Sequence, residues 1–129
     1  MGSTERQAVV PEEAAKPIGP YSLGIRSGNL VFVSGTIGID PSSSTMVVGG
    51  VAAETSQILR NMQAVLEAAG SSLDQVVKTT VFMLDLKQFG SMNEVYAGAF
   101  SGAPPARSTV QVAGLPGGAS VEIEAIAVA

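Results

Sequence analysis

The stretch Val76 to Leu84, Val-Val-Lys-Thr-Thr-Val-Phe-Met-Leu, constrains the fold more than any other part of this chain. It is rich in β-branched and aromatic residues and contains no turn former, so it reads as a strand. Both of its alternating faces are largely apolar. A strand of that kind belongs in the middle of a sheet, covered on both sides. The rest of the chain must therefore supply two covers.

Two helical stripes are available. Val51, Thr55, Ile58, Leu59, Met62, Val65, Leu66 and Ala69 recur at helical spacing, and Glu54, Gln57, Arg60, Gln63 and Glu67 fill the other faces. Gly70 follows at the position where a left-handed residue ends a helix without a Cβ penalty. Phe89, Met92, Asn93, Tyr96, Ala99 and Phe100 form a second stripe, ended by Ser101-Gly102 and Pro104-Pro105. The remaining apolar runs are short. Tyr21–Arg26 and Leu30–Ile37 flank a Ser27-Gly28-Asn29 turn and read as a hairpin. Met46–Val48 is a third short strand, after the polar turn Asp40–Ser44. Arg107–Ala113 and Ala119–Ala129 are strands joined by a Leu115–Gly118 turn.

The expected order is β-β-β-α-β-α-β-β, a single α+β domain over residues 1–129 with residues 1–16 as an extended lead-in. Two helices cover one face of a mixed sheet. The other face keeps apolar residues with nothing left in the chain to bury them. Hydrophobic residues make up 46 % of the chain and charged residues only 14 %, so a second copy is expected on that face.

The inventory narrows the chemistry. There are no histidines and no cysteines, which removes disulfides, thiolate nucleophiles, Cys/His metal sites and any imidazole base. The seven cations are scattered and the net charge is −4, so no basic stripe marks nucleic acid as the main partner. Residues 1–13 contain no apolar leader core, and no apolar run is long enough to span a membrane. The expected compartment is the cytoplasm, or the mitochondrion in a eukaryote.

Few polar residues stand out. Glu122 and Glu124 share one face of the last strand with Ile126 and Val128, opposite Val121, Ile123, Ala125 and Ala127. They fit either a wet edge strand or a pocket at a subunit interface. Arg107 fits either a structural ion pair or a clamp for an anionic ligand, since its guanidinium matches a carboxylate with two parallel hydrogen bonds. Asn93 lies on an apolar stripe, where an amide needs a partner, and Tyr21 follows Ile18-Gly19-Pro20.

In order along the chain, Ile18–Ser22, Gly28–Gly35, Asn61–Leu86, Met92–Tyr96, Pro105–Ser108 and Val121–Ala127 together resemble the RidA/YjgF family of reactive-intermediate deaminases, also called endoribonuclease L-PSP-like. The resemblance runs from about Pro17 to the C-terminus. It implies a fold like that of the small trimeric chorismate mutases, with three copies packing their sheets in a barrel-like assembly and clefts between neighbours. It implies hydrolysis of enamines and imines such as 2-aminoacrylate and 2-aminocrotonate to 2-keto acids and ammonia, that is, a 2-iminobutanoate/2-iminopropanoate deaminase activity that needs no cofactor or metal.

By the same resemblance Arg107 grips the substrate carboxylate and Glu124 positions water. Tyr21, Gly35, Asn93 and Thr109 complete the substrate site. Thr109 replaces a cysteine frequent in the family, and Thr36 replaces a frequent glutamine. With Arg107 and Glu124 in one cleft, each charge offsets the other's burial. The competing expectations are a non-catalytic module binding small carboxylates, and ribonuclease or translation inhibition. The acidic charge and absent histidine weigh against the last.

Overall fold

Helix α1, Gly50–Ala68, forms where the apolar stripe predicts. Its end is a Schellman closure: Gly70, at φ +82°, donates to Glu67 O at 3.0 Å and Ser71 donates to Leu66 O at 2.8 Å. The computed structural model describes residues 5–129. Its other elements are β1 (Arg6–Val9), β2 (Gly24–Ser27), β3 (Leu30–Thr36), β4 (Ile39–Asp40), β5 (Thr45–Met46), β6 (Val76–Met83), α2 (Phe89–Ala97), β7 (Ala106–Gln111) and β8 (Val121–Val128).

Six strands form one sheet in the order β1-β2-β3-β8-β6-β7. Only β6 and β7 run parallel, and α2 makes the crossover that a parallel pair requires. β6 is interior, as its two apolar faces demand. β8 is interior too, between β3 and β6, so Glu122 and Glu124 are not on a wet edge strand. Their strand is also separated from β7 by β6, although the two are consecutive in sequence.

Two expectations are corrected. The extended lead-in is more than a connecting arm: residues 6–9 form β1 and pair into the sheet, with Ala8 opposite Ile25 of β2 and Val9 in the core. This segment precedes Pro11 and keeps the N–H groups that a ladder uses. Residues 1–4 of the lead-in lie outside the described residues. Likewise, Met46–Val48 is no third strand of the sheet. β5 stops at Met46 and pairs only with β4, in a separate two-stranded ribbon. Val48 is 96 % exposed, and Gly49 and Gly50 at positive φ turn the chain into α1.

Both helices lie on one face of the sheet. Val31 and Val33 of β3, Val81 and Met83 of β6, and Ile123, Ala125 and Ala127 of β8 meet Ile58, Met62, Leu66 and Met92 there. Glu54 of α1, itself buried, accepts the Ser120 N–H at 2.8 Å and fixes the start of β8. The opposite face carries exposed Leu30 and Phe32 beside half-buried Ile126 and Val128, and no described helix covers it. Among the described residues no helix is long and apolar enough to cross a membrane.

Candidate active site

Arg107 sits on the edge strand β7, in register with Thr79 of β6, which pairs in turn with Ala125 of β8. That row points to the helix side. The Arg107 guanidinium lies 4.8 Å from the Tyr96 ring centre and 5.4 Å from that of Phe89, and Nη1 contacts Met92 Sδ at 4.0 Å. All three residues come from α2. No carboxylate among the described residues pairs with Arg107. The structural ion-pair reading is therefore not what the chain uses.

Two more expected residues border the same region. Asn93, half-buried, follows Met92 on α2, and its amide has no hydrogen-bond partner among the described residues. Thr109, two residues after Arg107, shares its face of β7, and its hydroxyl is shielded from water without a partner. A shielded hydroxyl with nothing to bond costs free energy, and Thr55 in the core carries the same cost.

Glu124 is elsewhere. It pairs across with Thr80, which pairs with Ser108, so this row faces the open side of the sheet. There it lines a concavity of about 230 Å³ with Phe32, Ser34, Lys78, Thr80 and Ile126. In a single copy the sheet stands between Arg107 and Glu124. Neither offsets the other's burial within one chain, which corrects that expectation. The reason is parity: residues 79, 107 and 125 share one face, and residues 80, 108 and 124 the other.

Tyr21 and Gly35 form a third group. Together with Thr36 and Asn61 they line a cavity of about 80 Å³. The Tyr21 hydroxyl accepts the Ile18 N–H at 3.4 Å. Gly35 lies in a bulge of β3, where the register against β8 slips between Val33 and Thr36. A side chain at Gly35 would overlap the Glu122 carboxylate. Glycine thus leaves the room that the Glu122 carboxyl occupies, at ordinary φ.

Three features were not legible as site components. Phe89, Met92 and Tyr96 show in the sequence only as a helical stripe, yet they surround Arg107. Lys78, whose Nζ donates to Ser108 Oγ at 3.0 Å, lines the Glu124 concavity. Glu122 has its carboxyl pushed above the usual carboxylate range, first by burial and then by the nearby Glu124 charge. The i, i+2 alternation of β8 already paired these two glutamates, but not their environments.

A mixed sheet with both helices on one face, an arginine held by aromatic rings and carboxylates on the bare face define a known class. A family model described as endoribonuclease L-PSP matches residues 11–129, and the chain belongs to that family, the one that includes YjgF and RidA proteins. It is 46 % identical over 128 residues to the 2-iminobutanoate/2-iminopropanoate deaminase of Mus musculus, covering 99 % of this chain and 95 % of that one. It is 45 % identical over 125 residues to the chloroplastic Reactive Intermediate Deaminase A of Arabidopsis thaliana, covering 97 % of this chain and 67 % of the relative. RidA from an Antarctic Psychrobacter superposes with a TM-score of 0.92 at 41 % identity, covering 95 % of this chain and 99 % of that chain. TdcF of E. coli, solved with bound serine, gives a TM-score of 0.89 at 38 % identity, covering 95 % and 98 %.

Proposed function

We propose that this chain hydrolyses 2-imino acids, and the enamines that tautomerise to them, to 2-keto acids and ammonia. We further propose that it does so as a homotrimer whose sites form between neighbouring copies. The observation that carries this reading is Arg107. Its cation is half-buried, held by rings and a thioether, and has no carboxylate of its own. A small carboxylate ligand matches that fork. Relatives of nearly the same length are named as imine deaminases, which supports the imine as the substrate.

The chemistry asks little of the site. Transfer of a proton from nitrogen to the enamine carbon, through solvent, gives the imine. Water adds to the imine carbon, the nitrogen takes up a proton, and the C–N bond breaks to release ammonia. One water is consumed for each keto acid formed. Arg107 holds the carboxylate, while the Asn93 amide, without a partner among the described residues, bonds the same ligand and Thr109 shapes the floor beside them. Glu124 of a neighbouring copy, presented by the bare face, orients the water and carries the proton that ammonia needs to leave. Tyr21 and Gly35 come to the cleft with Glu124's copy. The apolar bare face, with Phe32 and Ile126 beside Glu124, is the surface that the neighbouring copy covers.

Parity gives a direct test. Arg107→Ala and Glu124→Ala are each expected to lose nearly all imine hydrolysis, read as imine loss in an assay coupled to threonine dehydratase. Mixed after subunit exchange, the two dead variants should recover roughly a quarter of wild-type activity, because one site in four combines an intact Arg107 with an intact Glu124 from the next copy. No recovery after proven exchange would mean that one copy supplies both residues. Full activity in Arg107→Ala would discard the clamp altogether. Pyruvate binding with no imine hydrolysis by the wild type would leave a binding module.

A further inference from the structure

The clamp reading leaves a physical question. Arg107 is on an edge strand, between exposed Ala106 and Ser108. Its long side chain loses considerable rotamer freedom when fixed. A carboxylate is the usual means of fixing an arginine, and none is present among the described residues. Something else must hold the guanidinium where a ligand meets it.

The Tyr96 ring is placed to do this. It is only 5 % exposed, and its plane is set from two sides. Its hydroxyl shares a 2.7 Å hydrogen bond with Thr79 Oγ1, and its ring packs against Phe100 at 4.9 Å and 50°. Thr79 is in turn the register partner of Arg107. The ring therefore spans from α2 to β6 and passes under the guanidinium of the adjacent β7 residue. Phe89 is farther from the cation and 39 % exposed, an outer wall rather than a floor. Met92 Sδ, fully buried, closes one side as a weak acceptor.

We infer that Tyr96, anchored by Thr79, is the positioning residue that pre-orders Arg107 while leaving its hydrogen-bond fork free of any carboxylate and engaged only by the weak Met92 sulfur contact. An aromatic face attracts a cation through its quadrupole without accepting the in-plane N–H bonds. A carboxylate in its place would take two of those bonds and cancel the charge. With the side chain ordered before the ligand arrives, less ordering cost falls on binding. The inference rests on the reading of Arg107 as the clamp.

The test changes the ring's electrons and not its shape. Phenylalanine and then mono-, di- and trifluorophenylalanine are placed at position 96 in the full-length protein, with Arg107 intact. Pyruvate is the probe. Its affinity is measured beside the order of the Arg107 Nε–Hε group by ¹⁵N relaxation, with the resonance assigned by its loss in Arg107→Lys. The thermal midpoint is expected to stay nearly level across the series. Pyruvate affinity should fall step by step, by about tenfold from phenylalanine to trifluorophenylalanine, with a parallel loss of Nε–Hε order. Affinity and order that do not change with fluorination overturn the inference, since a purely structural ring tolerates those substitutions. Thr79→Val, which keeps the ring and loosens its anchor, should lower affinity about two- to threefold with kcat retained. Undiminished pyruvate binding by Arg107→Ala overturns the clamp reading alone. The loss of Nε–Hε order still decides whether Tyr96 positions the arginine.

Discussion

The two faces of the six-stranded sheet are made from the same strands and have opposite characters. On the helix face of β8, Ile123 and Ala125 meet Val81, Ile58 and Leu66, and Thr79 pairs with Tyr96 and Glu54 with Ser120, while the buried Thr55 hydroxyl has no partner among the described residues. On the bare face of the same strand, Glu122, Glu124 and Ile126 adjoin Phe32, Lys78 and Phe82 without a cover. One face is completed by its own chain and accounts for stability. The other is left uncovered by the described helices. The candidate site residues divide along this line, Arg107 at the margin of the finished face and Glu124 on the unfinished one.

The largest test of that contrast is a pair of substitutions three residues apart on β8. Ile123 is fully buried, so Ile123→Ala should cost about 2–5 kcal/mol at any protein concentration. Ile126→Ala should cost less in the chain itself and instead make the thermal midpoint depend more steeply on dilution, by weakening assembly. Equal losses that ignore concentration would erase the distinction between the faces.

A glycine pair sharpens it. At Gly24 a Cβ would come 2.6 Å from Val65 Cγ1 and 3.3 Å from the Phe32 carbonyl, in the packed layer under α1. Gly24→Ala should therefore lower stability by about 1–3 kcal/mol, seen in denaturant melts, with little change in turnover per folded molecule. At Gly35 the obstacle is the flexible Glu122 side chain, which can swing away. Gly35→Ala should melt close to wild type and lose most of its turnover, because the displaced carboxyl and the new methyl both intrude on the cleft. The reverse pattern would move Gly35 out of the site.

How far such positions can be read from sequence depends on what fixes them. The α1 stripe, its Gly70 end and the alternation of β8 are local periodicities, and all three stand in the structure. The interior place of β6 was legible because both of its faces are apolar. Strand order was not, because β7 and β8 are neighbours in sequence and not in the sheet. Without that register, nothing shows that Arg107 and Glu124 face opposite ways. β1 escaped notice because prolines later in the lead-in dominate its reading, although Arg6–Val9 has none. The assignment of Tyr21, Gly35, Asn93 and Thr109 came from resemblance to a family. The structure adds that the Asn93 and Thr109 side chains lack partners among the described residues and that Tyr21 and Gly35 share a cavity.

Glu122 yields the smallest effect and the one most specific to the bare face. Its carboxyl is pushed above the ordinary 4.5 chiefly by burial, with the Glu124 charge second. A raised value means that the folded chain holds the proton more tightly than the unfolded one. The stability linked to it is complete below the unfolded value and is lost as pH rises through the folded one. Glu122→Gln, which cannot ionise, keeps its stability over that range. The variant should therefore gain on wild type in thermal melts as pH rises above the ordinary 4.5, and the gap should close at the acid end. Glu124→Gln removes the lesser cause and should lower the Glu122 titration point only part of the way, as read from its carboxyl ¹³C shift. The chain's own packing already buries Glu122 in part, so dilution that strips a covering copy from the bare face should lower that point further only by the burial the copy adds. A titration point that stays fixed on dilution through proven dissociation would mean that the chain's own packing, and no neighbour, buries Glu122.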